Sequence, residues 1–233
     1  MVGELIFPAF LLRVSMTELE QVIIEMTKPV GGQFPRPWMT DMIAPHEANI
    51  FIVGANQAKG YDVSMLTHER HINALFNRAG ESCRGLYDEL TGFTPSRTRL
   101  NIDKFRALLD LVGVCKAIET NVVCYSTPMS KDLHLSQNIA GAKKGRELFT
   151  ALLRIIKPKV LIAHGSGASK ELSRVLDFQL PPVPKNPATL AAAKNGTQTV
   201  FVIPSLAPPA FNKWSSWSDV YLEAVARAVA KVL

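Results

Sequence analysis

The sequence predicts an α/β fold in three layers, with helices on both sides of a short central parallel sheet of four strands. Three observations predict it. Four apolar runs, near residues 50–57, 116–123, 160–165 and 199–203, each end on glycine or small polar residues. Segments with apolar residues at helical spacing separate them. Strand alternating with helix implies parallel pairing through right-handed crossovers.

Each element has its own signal. Residues 14–27 carry Val14, Leu19, Val22, Ile23 and Met26 at helical spacing after a Ser15 or Thr17 cap, and the Pro29 turn stops the helix. Residues 31–47, rich in proline and glycine at the start, read as an irregular loop. The run Ile50-Phe51-Ile52-Val53-Gly54-Ala55-Asn56-Gln57 is a buried strand ending in a glycine turn. Residues 65–90 form one or two helices broken near Gly80. Residues 91–99 are a loop, and Asn101 or Asp103 caps a helix through Leu111. The second strand spans 116–123, and a polar loop follows from Ser126. Residues 138–156 form a helix that Lys157 and Pro158 stop before the third strand. Gly165-Ser166-Gly167-Ala168 opens a helix through Leu176. Residues 178–196 are a loop with at most a short helix, 199–203 the fourth strand, and 218–232 the last helix.

With 233 residues and 47% hydrophobic content, a single domain over 1–233 buries a sizeable core. No apolar segment of about 18 residues suggests a membrane span, and Met1 to Met16 lacks a cleavage site, so a cytoplasmic protein without membrane contact is expected. The three cysteines, Cys83, Cys115 and Cys124, form no close pair, which argues for reduced thiols, two of them in the core, and against a metal site. No cofactor is expected. A net charge of +6 and a pI near 9.3 suit a polyanionic partner. Arg70, Arg78, Arg84, Arg97, Arg99, Lys104 and Arg106 lie between the first two strands, and Lys143, Lys144, Arg146, Arg154, Lys157 and Lys159 surround one later helix.

Ligands of open α/β sheets bind at the carboxyl ends of parallel strands. Asn56, just past Gly54, is therefore the first candidate, with Asn121, His164 and Ser205 at the other strand ends. In order along the chain these ends resemble the motifs of the uracil-DNA glycosylase superfamily. Gly54-Ala55-Asn56-Gln57 is similar to its first motif, with Asn56 in the water-positioning slot and Gln57 in place of the usual proline. Glu119-Thr120-Asn121-Val122-Val123 is similar to the strand whose asparagine reads the uracil edge. Residues 157–168 are similar to its P-K-x-I-x-x-L-G-x-x-A segment, and Phe76-Asn77-Arg78-Ala79-Gly80 to the element whose ring stacks on the flipped base. Ile203-Pro204-Ser205-Leu206 stands where that superfamily has H-P-S or N-P-S.

The resemblance implies a uracil-DNA glycosylase-like domain that binds DNA and cleaves the N-glycosidic bond of an extruded uracil or damaged base. It implies Asn56 as a catalytic group and Gly54, Ala55, Gln57, Phe76 and Asn121 around the base, and His164 and Ser205, at the neighbouring strand ends, are the further catalytic candidates. Arg97, Arg99, Lys213 and Trp214 are expected to meet the nucleic acid. Ile203 donates no hydrogen bond, so stabilisation of the departing base falls to Ser205 or His164. Losing one such donor costs on the order of 3 kcal/mol, and the enzyme is expected to be slow or inactive.

Structural roles compete for each residue. Asn56 also suits a turn cap, Asn121 a satisfied amide, Phe76 a core ring, His164 a lone structural histidine, and Trp214 or Trp217 an anchor for the last helix. Competing functions are a non-catalytic nucleic-acid-binding module and an enzyme for a small nucleoside or nucleotide. A generic nucleotide binder ranks last, because no phosphate-loop motif stands at a strand end.

Overall fold

The computed structural model describes residues 17–233; Val14 and Ser15, counted toward the first helix, lie outside them. In chain order come α1 (Glu18–Met26), β1 (Gln33–Phe34), β2 (Ile50–Gln57), β3 (Tyr61–Asp62), α2 (His68–Leu75), α3 (Cys83–Leu90) and α4 (Arg97–Leu111). Then follow β4 (Ala117–Ser126), α5 (Ile139–Ile156), β5 (Val160–His164), α6 (Ser166–Leu176), β6 (Ala191–Asn195), β7 (Gln198–Ile203) and α7 (Ser218–Ala230).

The central sheet has five strands in the order β4-β2-β5-β7-β6, and β1 pairs with β3 in a separate two-stranded ribbon. The four expected strands are all parallel. The fifth, β6, is a correction to the four-stranded expectation: it runs antiparallel to β7 at the sheet edge. Its alanine-rich sequence has little strand propensity, and the turn at Gly196, with φ 60°, folds it back onto β7.

Alternation along the strands divides the core in two. Phe51, Val53, Leu161, Ala163, Val200 and Val202 face α1, α5 and α6. Ile50, Ile52, Val160, Ile162, Phe201 and Ile203 face α4 and α7. Each large apolar side chain buried this way contributes about 1.5–3 kcal/mol relative to exposure.

Hydroxyl caps start four helices: Thr17, Ser82, Thr67 and Ser96 each accept from an amide three residues on. Ser96 therefore starts α4 earlier than expected. The two residues expected to cap it are occupied elsewhere: Asn101 donates to the Leu206 carbonyl at 2.8 Å, and Asp103 pairs with Arg84 and Arg99.

The chain enters the sheet at β2, crosses to β4 on one side, and returns to β5 on the other. The crevice outside the carboxyl ends of β2 and β5 is thus the switch point where α/β sheets place ligands. No helix among the described residues is long and apolar enough to cross a membrane.

Candidate functional site

A cleft of about 540 Å³ opens at that switch point. Ala55, Asn56 and Gln57 from β2, Asn121 from β4, His164 from β5 and Ser205 beyond β7 all line it. The loop before α4, the start of α6 and the segment around Ala207 complete the wall.

Gly54 lies beneath the Asn121 and His164 side chains that line the cleft, paired in register with Asn121. A Cβ added at Gly54 would collide with Asn121 Oδ1 and come within 3.0 Å of His164 Nε2. Glycine is therefore what lets the carboxamide and the imidazole lean over β2 together. Both belong to the α4/α7 side of the sheet, since they share the parity of Ile52 and Ile162.

Asn121 lends its backbone carbonyl to the Cys124 thiol, while its half-buried carboxamide is engaged by no hydrogen bond among the described residues. His164 keeps some surface toward the cleft, but its Nδ1 is buried without a partner among them. Burial pushes its pKa down to about 4, so the imidazole is neutral at pH 7.

Asn56 is more tightly held. Its Nδ2 donates to Thr127 Oγ1 at 2.9 Å and to the Gln57 carbonyl at 3.1 Å, and its Oδ1 accepts from the Ser130 hydroxyl at 2.6 Å. A carboxamide oxygen has two lone pairs, so one acceptor position stays open. Gln57 is buried: its Nε2 donates to the Arg36 carbonyl at 2.8 Å, and its Oε1 has no partner among the described residues. Ser205 Oγ accepts from the Ala207 amide at 3.1 Å and packs against Gly165, whose φ of 88° and crowding both exclude a side chain. With Gly165 as N-cap, no side chain caps α6.

Three expected site residues are corrected. Phe76 is 6% exposed and packs edge-on against Trp38, which lines the cleft, so its ring lies behind the wall and not in it. Arg99 lines the cleft, but Glu119 grips it through two hydrogen bonds and Asp103 through another, so its guanidinium is spent on buried carboxylates. Trp214 is 4% exposed, donates to the Ser205 carbonyl at 2.9 Å and sits among Phe211, Trp217 and Tyr221, anchoring α7. Arg97 and Lys213 are exposed, and Arg97 donates to Asn212. Ile203 is fully buried in the α4/α7 core and pairs in register with His164.

Most of the basic residues that suggested a polyanion are paired with carboxylates, among them Arg70, Arg78, Arg84, Lys104 and Arg106. Cys83 and Cys124 are buried and Cys115 is exposed.

Two residues escaped sequence reasoning. Arg36, inside the loop expected over 31–47, lines the cleft. Phe93 is 76% exposed with φ 55°, on a turn whose neighbours Thr91 and Thr94 line the cleft. The Gly92-Phe93 pair, an aromatic in a glycine turn among hydroxyl residues, was the available signal for the second.

No protein-family model matches this sequence, and no curated protein matches it.

Proposed function

We propose that the chain is a uracil-DNA glycosylase-like base-excision enzyme, which takes one extruded nucleobase into the cleft and hydrolyses its N-glycosidic bond slowly. One observation carries this reading: a free carboxamide, Asn121, and a neutral imidazole, His164, converge over Gly54 at a sheet switch point. A carboxamide offers a donor and an acceptor to a base edge. The imidazole supplies the donor that Ile203 lacks.

As the bond to the base breaks, the sugar gains positive and the base negative charge. His164 beside the base oxygen stabilises that developing charge as a neutral donor. Asn56, locked by Thr127 and Ser130, presents its open lone pair to a water and orients it toward the sugar carbon without deprotonating it, and the proton shed as the carbon–oxygen bond forms goes to the departed base anion. Rate is limited because neither group is a strong base or a cation.

The rim suits DNA. Lys59 lines the cleft, Arg97 and Lys131 adjoin the lining residues Ser96, Thr98 and Ser130 in the chain, Lys213 is exposed, and none of the four is in an ion pair among the described residues. Phe93 presents an exposed ring to bases beside the cleft.

The commitment of both Asn56 polar groups to the β4-end loop favours a second reading, a binding module without turnover. Base release separates the two. A single-uracil oligonucleotide, with a panel of deaminated and oxidised bases beside it, should yield abasic sites with the wild type. Asn56→Ala should lower the rate at least tenfold. Binding without any release would leave the module, and neither binding nor release would remove both readings.

A further inference from the structure

We propose that Arg36 is a phosphate-binding residue inside the cleft, holding a phosphate of the nucleotide whose base lies against Asn121. The inference rests on the reading of the cleft as a base site and names the second group that the site takes.

Among arginines 17–233, every one except Arg36 and Arg97 is paired with a carboxylate. Arg97 is exposed and solvated, whereas Arg36 is half-buried. Its guanidinium carbon lies 4.9 Å from the Tyr61 ring centroid and 5.6 Å from that of Tyr87, and its Nη1 is buried without an acceptor among the described residues. Aromatic faces hold a guanidinium in place and leave its charge uncompensated. On the same cleft wall Arg99 shows the alternative, a guanidinium neutralised by Glu119. A partly desolvated cation without a counter-charge is costly to the free protein, and an anion entering the cleft relieves that cost.

Position specifies which anion. The Arg36 carbonyl accepts from Gln57, three residues past Gly54 on β2. The next carbonyl, of Pro37, accepts from the hydroxyl of Thr120, the neighbour of Asn121, at 2.6 Å. Arg36 is thus pinned to both strands that build the cleft, through side chains of the sheet face opposite Asn121, and its own side chain lines the cleft. Prolines on both sides restrict its backbone. A planar fork in the wall of the cleft that Asn121 also lines suits the phosphate of the same nucleotide. The cleft, at about 540 Å³, exceeds what a lone pyrimidine fills.

Titration calorimetry on the full chain tests this with 2′-deoxyuridine, its 5′- and 3′-monophosphates, ribose 5-phosphate and inorganic phosphate. The expected result is tenfold or tighter binding of one monophosphate over the nucleoside, an advantage that shrinks with salt. Arg36→Met should abolish the advantage and leave nucleoside affinity unchanged, while Arg36→Lys, which keeps the cation, should restore part of it. Equal binding of nucleoside and monophosphates by the wild type overturns the proposal and spares the base site. A monophosphate advantage surviving in Arg36→Met overturns it as well. Arg36-dependent binding of ribose 5-phosphate as tight as that of the nucleotide would uphold the phosphate site and remove the base reading. Binding of no ligand overturns both.

Discussion

Asn121 Oδ1 and His164 Nε2 converge on the point where Gly54 would carry a Cβ. Two side chains from different strands therefore share one floor, and that floor tolerates no side chain of its own. Gly54→Ala should lower stability by about 1–3 kcal/mol through overpacking. It should also abolish base binding at temperatures where the fold persists. Retained binding in a folded Gly54→Ala protein would show that the convergence is not the site.

Burial pushes both His71 and His164 down to a pKa of about 4, from an ordinary 6.5. Between those values the unfolded chain binds more protons than the folded one, so stability is full above pH 6.5 and falls as pH drops through the window. Each imidazole accounts for up to roughly 3 kcal/mol across it. Carboxylates held low in the fold, such as Asp62 by the Ser64 amide, cost stability only at still lower pH. Urea denaturation at pH 7.5 and 5 should therefore show a loss that His71→Gln and His164→Asn reduce. Titration of the His71 or His164 imidazole near 6.5 in the native protein would contradict this.

Arg99 and Glu119, 5% and 7% exposed, form a buried bidentate pair. Glu119→Gln leaves a buried guanidinium undercompensated and should cost about 3–5 kcal/mol in thermal or chemical unfolding. Arg97→Ala should leave stability unchanged and reduce the salt dependence of DNA affinity by about one released counterion. The reverse pattern would return Arg99 to the DNA interface.

Thr127 holds the Asn56 amide at 2.9 Å. On the proposed mechanism, Thr127→Val frees the carboxamide to turn away from the position of the attacking water. A neutral hydrogen bond of about 1 kcal/mol predicts a fall in kcat of roughly five- to tenfold. KM should hardly change, because the proposed contact of Asn121 with the base edge does not involve Thr127. An unchanged kcat would make the Thr127 bond incidental to catalysis.

Much of the fold was legible, because apolar runs, proline stops and hydroxyl caps are local signals. Asn56, Asn121, His164 and Ser205 were legible as one site for a topological reason: they end parallel strands, and parallel strands end together. Other features depend on partners far along the chain. Glu119 neutralises Arg99 from twenty residues away, and nothing in Ser96-Arg97-Thr98-Arg99 announces it. Phe76 and Trp214 are apolar rings whose burial depends on Trp38 and Tyr221, so their types suggested stacking where packing prevailed. Strand β6 was hidden by alanines, although Asn195-Gly196 marked its turn. Arg36 stayed invisible between two prolines until Tyr61 and Tyr87 closed around it.

The most direct test of the base site is an NMR titration with free uracil that follows the Asn121 side-chain amide and the His164 imidazole. The account predicts that both shift together and saturate at one Kd, that Asn77, whose amide is bound to the Thr40 and Met42 carbonyls, stays still, and that Asn121→Ala abolishes saturation. Unmoved Asn121 and His164 resonances at millimolar uracil, or undiminished binding by Asn121→Ala, would contradict it.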